Sequence, residues 1–265
     1  MNQIIKKSTA VATVSDYRLP LWPVSKSHTT ALKEGKWGAF KVERGGVTAR
    51  HRDIVDVILC LAIDIEYVRS SITNEVEMHI LYDAKEVLKM LNTKSNFAWL
   101  QGLILDMQST VISIRKKNGD WPDSWALVSF SGDSKKDKST YKHQFSGKLK
   151  KLVLSPGAFK WMETDIQVFI KKNVMTKIMA LKNQVSRSVA KWFLSHSNAQ
   201  NHNIQNVLAS VGCEGGERMI NKRINQLIED AEGLKKLGII VGESVRSIKI
   251  EGVWFENPKA EIELN

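Results

Sequence analysis

The stretch from Ser186 to Ile250 decides the fold. It reads SRSVAKWFLSHS at 186–197, NIQNVLASVGC at 203–213 and EGGERMINKRINQLIEDAEGLKKLGIIVGESVRSIKI at 214–250. The third piece carries apolar residues at alternating steps of four and three, which is typical of one long amphipathic helix over residues 217–238. The residues of this stripe are Ile220, Ile224, Leu227, Ala231 and Leu234. We therefore expect that face of the helix to pack on a hydrophobic core.

Four polar side chains crowd the first two turns of this predicted helix. At about 100° per residue, they lie away from the apolar stripe. Arg, Lys and Asn near the N-terminal end of a helix are side chains that hydrogen-bond base edges in a DNA major groove. The sequence therefore predicts a DNA-reading surface made of Arg218, Asn221, Lys222 and Asn225.

The segments around this helix complete a recognisable order of elements. Two short apolar-periodic segments, 188–196 and 204–211, precede it, and the glycines between 212 and 216 indicate a turn. Two short strands with a polar tip follow at 238–250, where Arg246 is a further candidate DNA contact. Helix, helix, turn, helix and hairpin is the order of a winged-helix domain, and an antiparallel helical bundle with a separate hairpin is the alternative.

A similar order occurs earlier in the chain. Apolar spacing after Thr48 predicts a helix of about three turns, capped by Thr48 or Asp53, with Arg50, His51 and Arg52 in a solvated first turn. An extended segment is expected at 63–81. Helices are expected at 83–91 and 95–108, and strands at 111–115 and 125–130. This pattern predicts a second winged-helix module.

The fold class predicted from these patterns is α+β, with two winged-helix domains in tandem. Residues 1–46 are expected to form an N-terminal arm and an extended segment, the first 18 of them poorly ordered. Domain 1 is predicted at 47–155 and domain 2, the main DNA-reading module, at 156–265. A helix is expected at 165–181.

The charge of the chain favours a polyanionic partner. The net charge is +11 over 265 residues, and the pI is about 9.5. Nucleic acid is favoured over an anionic membrane surface, because no basic helix shows a broad apolar face. Six cations and no acidic residue lie between 171 and 191, which is typical of a DNA-backbone contact. The further candidate contacts are Arg187, Lys191, Lys94, Lys116 and Lys117.

Several kinds of chemistry are absent from the sequence. There is no phosphate-binding GxxxxGK[ST] loop, and the glycines at 212, 215 and 216 follow a helix rather than a strand. His196 and His202 lack nearby ligands with metal-site spacing, and the two cysteines are far apart. We expect a cytoplasmic protein without a membrane span, a secretion signal, a metal or a cofactor, which acts by binding rather than as an enzyme.

At the second module the sequence resembles a known family. The similar segments are Met175–Leu181, Val189–His196, Ile204–Gly212 and Leu234–Ile240, together with the Asn92-Thr-Lys run and the Trp22-Pro23 entry of the first half. They resemble the iteron-binding plasmid replication initiators, closest to the TrfA type. The resemblance implies tandem winged helices that bind direct repeats of double-stranded DNA at an origin. It also implies recruitment of the host initiator and the replicative helicase, and control by dimerisation.

One helix departs from that pattern. The outward face of residues 95–108 carries Ala98, Gly102 and Leu105, with Trp99 at its flank, which is poor material for reading bases. Either the first module contacts mainly phosphates, or this face is a dimer surface. The alternative is that the face packs within one chain against the N-terminal segment around Trp22 and Trp37.

Three other functions remain open on the sequence alone. A winged-helix transcriptional repressor would share the chemistry but recognise a palindrome, because the symmetry of an operator mirrors that of the protein. A protein–protein adaptor would use its winged helices as docking surfaces, and its binding would not fall steeply with salt. A nuclease or relaxase would nick DNA in a metal-dependent way.

Overall fold

The computed structural model describes most of the chain. The residues that it describes are 9–13, 17, 21–24, 32–35, 38–69, 74–93, 96–116, 124–129, 149–164, 167–196, 202–241 and 249–251. The helices within these ranges are α1 (Ala49–Cys60), α2 (Ala84–Met90), α3 (Phe97–Ser109), α4 (Pro156–Thr164), α5 (Lys172–Met179), α6 (Gln184–Leu194), α7 (Ile204–Ser210), α8 (Glu217–Glu229) and α9 (Ala231–Lys235).

The strands form small sheets with antiparallel pairing. They are β1 (Thr9–Thr13), β2 (Leu32–Gly35), β3 (Gly38–Arg44), β4 (Asp64–Arg69), β5 (Val76–Asp83), β6 (Val111–Lys116), β7 (Trp125–Ala126), β8 (Leu149–Leu154), β9 (Gln167–Lys171), β10 (His202–Asn203), β11 (Ile240–Val241) and β12 (Lys249–Glu251). The strand orders are β2-β3-β6-β7, β4-β5-β8, β10-β12-β11 and β1-β9. The fold is therefore mixed α+β, as predicted.

The second half has the element order of a winged-helix-like domain. Helices α6, α7 and α8 follow one another, with β10 immediately before α7. Strand β12 pairs with both β10 and β11, so the hairpin after α8 closes back on the short strand before α7. This half agrees with the predicted order of helices and strands. The first half is consistent with the same plan, since α1, α2 and α3 precede the β6–β7 pair, and the tandem winged-helix arrangement stays a prediction.

Three segments differ from the sequence-based expectation. Residues 165–181 were expected to be helical, but 167–171 form β9, and the helix begins at Lys172. The N-terminal arm was expected to be poorly ordered over its first 18 residues, but Thr9–Thr13 forms strand β1, which pairs with β9. Helix α4, which starts at the predicted boundary of domain 2, packs on β5 and β7 of the first half. A continuous apolar run such as the one at 168–170 suits a strand as well as a helix, and its pairing partner decides between them.

Helix α1 is the central element of the molecule. It contacts β1, α5 and α6 as well as α2, α3 and β5, and Arg50 is its one residue that is not buried. Its N-cap is Thr48, as predicted, and the backbone N–H of Thr48 donates to Nδ1 of His51 at 2.9 Å. The prediction of a solvated first turn is wrong, because only 5% of His51 and 6% of Arg52 are exposed.

A buried charge cluster joins the two halves through α1 and α6. The ammonium of Lys191 lies 2.5 Å from a carboxylate oxygen of Asp53 and 2.7 Å from one of Asp56. Arg52 pairs with Asp56 at 2.8 Å. Lys191 is 3% exposed and both carboxylates are at most 1% exposed, so water contributes little to their solvation. Charges buried this deeply persist only when they are paired, which fixes α6 against α1.

The edge of this cluster continues along α6. A guanidinium nitrogen of Arg187 lies 3.4 Å from Asp53, and its Nε donates to the carbonyl of Leu181 at 2.9 Å. The side-chain amide of Gln184 donates to Asp53 at 2.8 Å. Asp53 therefore accepts contacts from successive turns of α6. We call Arg52, Asp53, Asp56, Arg187 and Lys191 the charge cluster.

We expect Lys191→Met to destabilise the protein strongly. The substitution keeps a long unbranched side chain but leaves two buried carboxylates without their ammonium partner, and breaking a buried pair costs about 3–5 kcal/mol. Urea unfolding followed by circular dichroism measures the change. Lys177→Met, on the exposed side of α5, is the matched control and should change stability by less than about 0.5 kcal/mol. Equal effects of the two substitutions would show that the charge cluster does not hold the halves together.

We also expect stability to depend on pH through His51. Burial lowers its pKa below the ordinary value of 6.5, although the Asp106 carboxylate 3.4 Å from Nε2 acts in the opposite direction, and Thr48 and Arg50 are its other polar neighbours. The unfolded chain takes up a proton as the pH falls below about 6.5, whereas the folded chain takes it up only at lower pH. The free energy of unfolding should therefore decrease as the pH falls from 6.5 through the lowered pKa.

Urea titrations at a series of pH values between 5 and 7.5 check this dependence. His51→Asn removes the titrating ring and retains a group that can accept from the Thr48 N–H. The variant should lose part of the pH dependence of the wild type, even if it is less stable at every pH. An unchanged slope would assign the pH dependence to other groups.

Candidate nucleic-acid interface

Helix α8 separates an apolar face from a polar one. Ile224 and Leu227 are 4% and 0% exposed and belong to the core. The four predicted reading residues, Arg218, Asn221, Lys222 and Asn225, are all exposed on the other side. Within the described part of the chain, none of these four side chains makes a hydrogen bond or an ion pair. Their donors and acceptors are therefore available to a ligand.

The turn before α8 sets its direction. Gly212 and Gly215 have positive φ angles of 71° and 143°, which side chains with a Cβ rarely adopt. A Cβ on Gly215 would also lie 2.9 Å from the Cβ of Met219, so this close approach requires glycine. The N-cap is Gly216, which provides no side-chain cap. The first turn of α8 therefore projects from a tight glycine turn and presents its side chains outward.

The other end of α8 is fixed to α6. The side-chain amide of Asn183 donates to the carbonyl of Gln226 and to the carboxylate of Glu229, each at 3.1 Å. Asp230 ends α8, and its carboxylate accepts the backbone N–H groups of Lys182 and Asn183 at 2.9 Å. The predicted single helix over 217–238 is therefore two helices that meet at Asp230. Its backbone leaves the helical range, with φ −101° and ψ 7°, and its carboxylate binds the turn before α6.

The exposed side of α8 is an open surface without a facing wall. Its residues are Glu217, Arg218, Asn221, Lys222, Asn225, Gln226 and Glu229. The two carboxylates stand at the ends of the helix, and the two cations stand in its first two turns. The surface therefore carries its positive charge in the first half of the helix, where base-reading side chains are expected.

Two predicted contact residues have a different role. Arg187 and Lys191 were expected to neutralise phosphates, but the structure places both in the charge cluster against Asp53. Lys191 is 3% exposed, and in this fold its ammonium is enclosed with Asp53 and Asp56 rather than presented to a ligand. Arg187 is held by two buried acceptors, and its side chain is only 15% exposed. A basic run in a sequence does not show which cations a distant carboxylate has already paired.

The remaining predicted contacts stay predictions. Lys94, Lys117 and Arg246 lie outside the described residues. Lys116 is the last residue of β6, and its side chain is also outside the described part. The exposed lysines of the predicted backbone footprint are Lys171, Lys172, Lys177 and Lys182.

Helix α3 in the first half has no cation. Its sequence is FAWLQGLILDMQS, and Leu100, Ile104 and Met107 form its buried face. Phe97 and Leu105 are each 41% exposed, Ala98 is exposed, and a Cβ at Gly102 would meet no atom within 4 Å. Among the described residues nothing covers the predicted apolar outward face. Trp22 is buried elsewhere, in the core, and Trp37 lies outside the described residues.

The described residues contain neither a metal-ligand cluster nor a membrane-spanning helix. Among them, no group of three or more His, Cys, Asp or Glu side chains is placed to hold a metal ion. No helix in the same ranges is long and apolar enough to cross a membrane. Asp53 and Asp56 are the two carboxylates whose role as buried partners of α6 the sequence analysis did not predict. Their signal is two acids, three residues apart, in a helix whose other residues are mostly apolar.

These features define an α+β protein of two parts, the second of them winged-helix-like with a basic outward helix. A solved structure with a similar fold contains domains 2 and 3 of RctB. It superposes with a TM-score of 0.53 over 96% of this chain and 93% of that chain, at 11% sequence identity. At this identity the likeness concerns the fold. No family model matches the chain, and no curated protein does.

Proposed function

We propose that this protein binds double-stranded DNA through α8 and acts in the initiation of DNA replication, by binding rather than by catalysis. The observation that carries the proposal is the set of four exposed, unengaged polar side chains on α8, in a chain of net charge +11. Helices of this composition hydrogen-bond base edges in the major groove. The fold shared with domains 2 and 3 of RctB, a replication initiator, supports the same function.

The finer proposal is an initiator of plasmid replication that binds direct repeats. It rests on the resemblance to iteron-binding initiators in segments such as Val189–His196 and Ile204–Gly212. Such a protein acts in the cytoplasm and recruits the host initiator and the replicative helicase to the origin. Direct repeats call for head-to-tail placement of copies, whereas a repressor dimer would select a palindrome. A selected site with two-fold symmetry would therefore favour the repressor alternative.

Binding to duplex DNA should weaken steeply with salt. A protein that neutralises about six to ten phosphates loses roughly 10³–10⁵ in affinity between 50 and 200 mM salt. Fluorescence anisotropy with duplexes from the DNA flanking the gene measures this dependence.

The substitutions Arg218→Ala and Lys222→Ala should each weaken the binding free energy by about 1–3 kcal/mol on the preferred duplex and by less on a random one.

Lys85→Ala removes an exposed cation from α2 and is the control for these variants. Its effect on the preferred and random duplexes should be small and equal. A flat salt response of the wild type would reject nucleic acid as the ligand. If both α8 variants bind the preferred duplex as tightly as the wild type does, α8 is not the helix that contacts DNA.

We further propose that the open face of α3 is a dimer surface. Ala98 and Gly102 are small enough to let a second backbone approach, and Phe97 and Leu105 supply apolar area at 41% exposure each. Two copies that meet there are related by a two-fold axis, which does not match direct repeats. Dimerisation would therefore compete with origin binding.

Leu105→Glu should shift the protein toward the monomer, because it places an unpaired charge in the apolar contact. Sedimentation velocity across a concentration series measures the shift. Ile63→Glu is the matched control, since Ile63 is an apolar side chain that is 48% exposed and lies just before β4 rather than on α3, and it should leave the association unchanged. A wild type that is monomeric at every concentration would reject the dimer.

A further inference from the structure

The side chains of α8 differ in how strongly the protein itself engages them. Gln226 accepts from Arg223 at 2.9 Å, and Glu229 accepts from Asn183 at 3.1 Å. Arg218, Lys222 and Asn225 have no such contact in the described part of the chain. At about 100° per residue these three lie within an arc of roughly 60°, with Asn221 at its edge. They form a single row that points away from the core.

The row has a defined length. From Arg218 to Asn225 the helix rises by roughly 10 Å at 1.5 Å per residue, which corresponds to about three base-pair steps of 3.4 Å. The next residue on the same arc is Glu229, whose carboxylate is held by Asn183. A carboxylate repels phosphates, so contact with DNA ends before the last turn of α8.

The chemistry of the row selects the bases. The fork of an arginine donates two hydrogen bonds to O6 and N7 of guanine, and the amide of an asparagine pairs in the same way with N6 and N7 of adenine. A lysine between them also favours the acceptors of guanine. No acidic side chain that could accept from N4 of cytosine lies between Arg218 and Asn225, and Glu217 points about 100° away from Arg218 around the helix.

We infer that α8 reads a purine-rich element of about four base pairs, in which Arg218 contacts a guanine and Asn225 contacts an adenine about three steps away. Lys222 contacts a guanine or its phosphate between them. This inference rests on the proposed function and names the DNA sequence class that the same site recognises. Asn221, at the edge of the row, faces the backbone of one strand.

Selection from a pool of duplexes with a randomised 20-base-pair segment, followed by sequencing, tests the inference with the full chain. The wild type should enrich a guanine and an adenine separated by about three steps. Arg218→Gln should exchange the guanine for adenine at one position and leave the rest of the motif intact, because glutamine pairs with adenine. The preference at that position should change by roughly ten- to a hundredfold.

Two further variants complete the design. Asn225→Asp should exchange the adenine for cytosine at the other position, since a carboxylate accepts from N4 of cytosine. Arg50→Gln removes the same charge as Arg218→Gln from an exposed position on α1 and should leave the motif unchanged. Both α8 changes lie on exposed positions, so thermal melting should confirm that the variants fold.

Each outcome supports or overturns the inference. One contrary outcome is that both α8 variants enrich the wild-type motif and bind all sequences more weakly by the same factor. Arg218 and Asn225 would then contact phosphates, which overturns the inference but leaves the proposed DNA binding intact. Enrichment of a motif without guanine or adenine at these spacings would also overturn it. If the wild type binds no duplex from the pool, the proposed function is overturned as well.

Discussion

The ion pairs between Asp53, Asp56 and Lys191 are the constraint on which the rest of the structure depends. A buried carboxylate without a cation is costly, so α6 can leave α1 only if several charges lose their partners together. The helix that these pairs fix is also the helix that holds the C-terminal end of α8 through Asn183. The orientation of the row formed by Arg218, Lys222 and Asn225 is therefore coupled to the first half of the chain through α6 and α1.

The two halves use similar elements for different surfaces. In the second half α8 exposes cations and amides, and in the first half the corresponding helix α3 exposes Phe97, Ala98 and Leu105. Burial is similar on the inner sides, where Leu100 and Leu227 are almost fully enclosed. The inner faces thus maintain the fold, while the outer faces differ: the outer face of α8 is polar and carries cations, and that of α3 is apolar.

Sequence analysis located those features that depend on local periodicity and could not locate those that depend on distant partners. The apolar stripe and polar row of α8 repeat every three to four residues, so both were visible without a structure. Strand β9 was mistaken for a helix because its pairing partner is β1, at the other end of the first half. Lys191 was mistaken for a phosphate contact because its carboxylate partners lie on α1.

The pairing of β1 with β9 has a consequence for how the chain is made. Because synthesis proceeds from the N-terminus, β1 emerges first and has no partner until Lys171 has been added, on the order of ten seconds later. During that interval Asp53 and Asp56 also lack Lys191. The first half therefore cannot reach its final packing on the ribosome before the second half begins to appear. Contacts of such long sequence separation slow folding. The pairing of β1 with β9 and the charge cluster both connect residues of the first half to residues of the second.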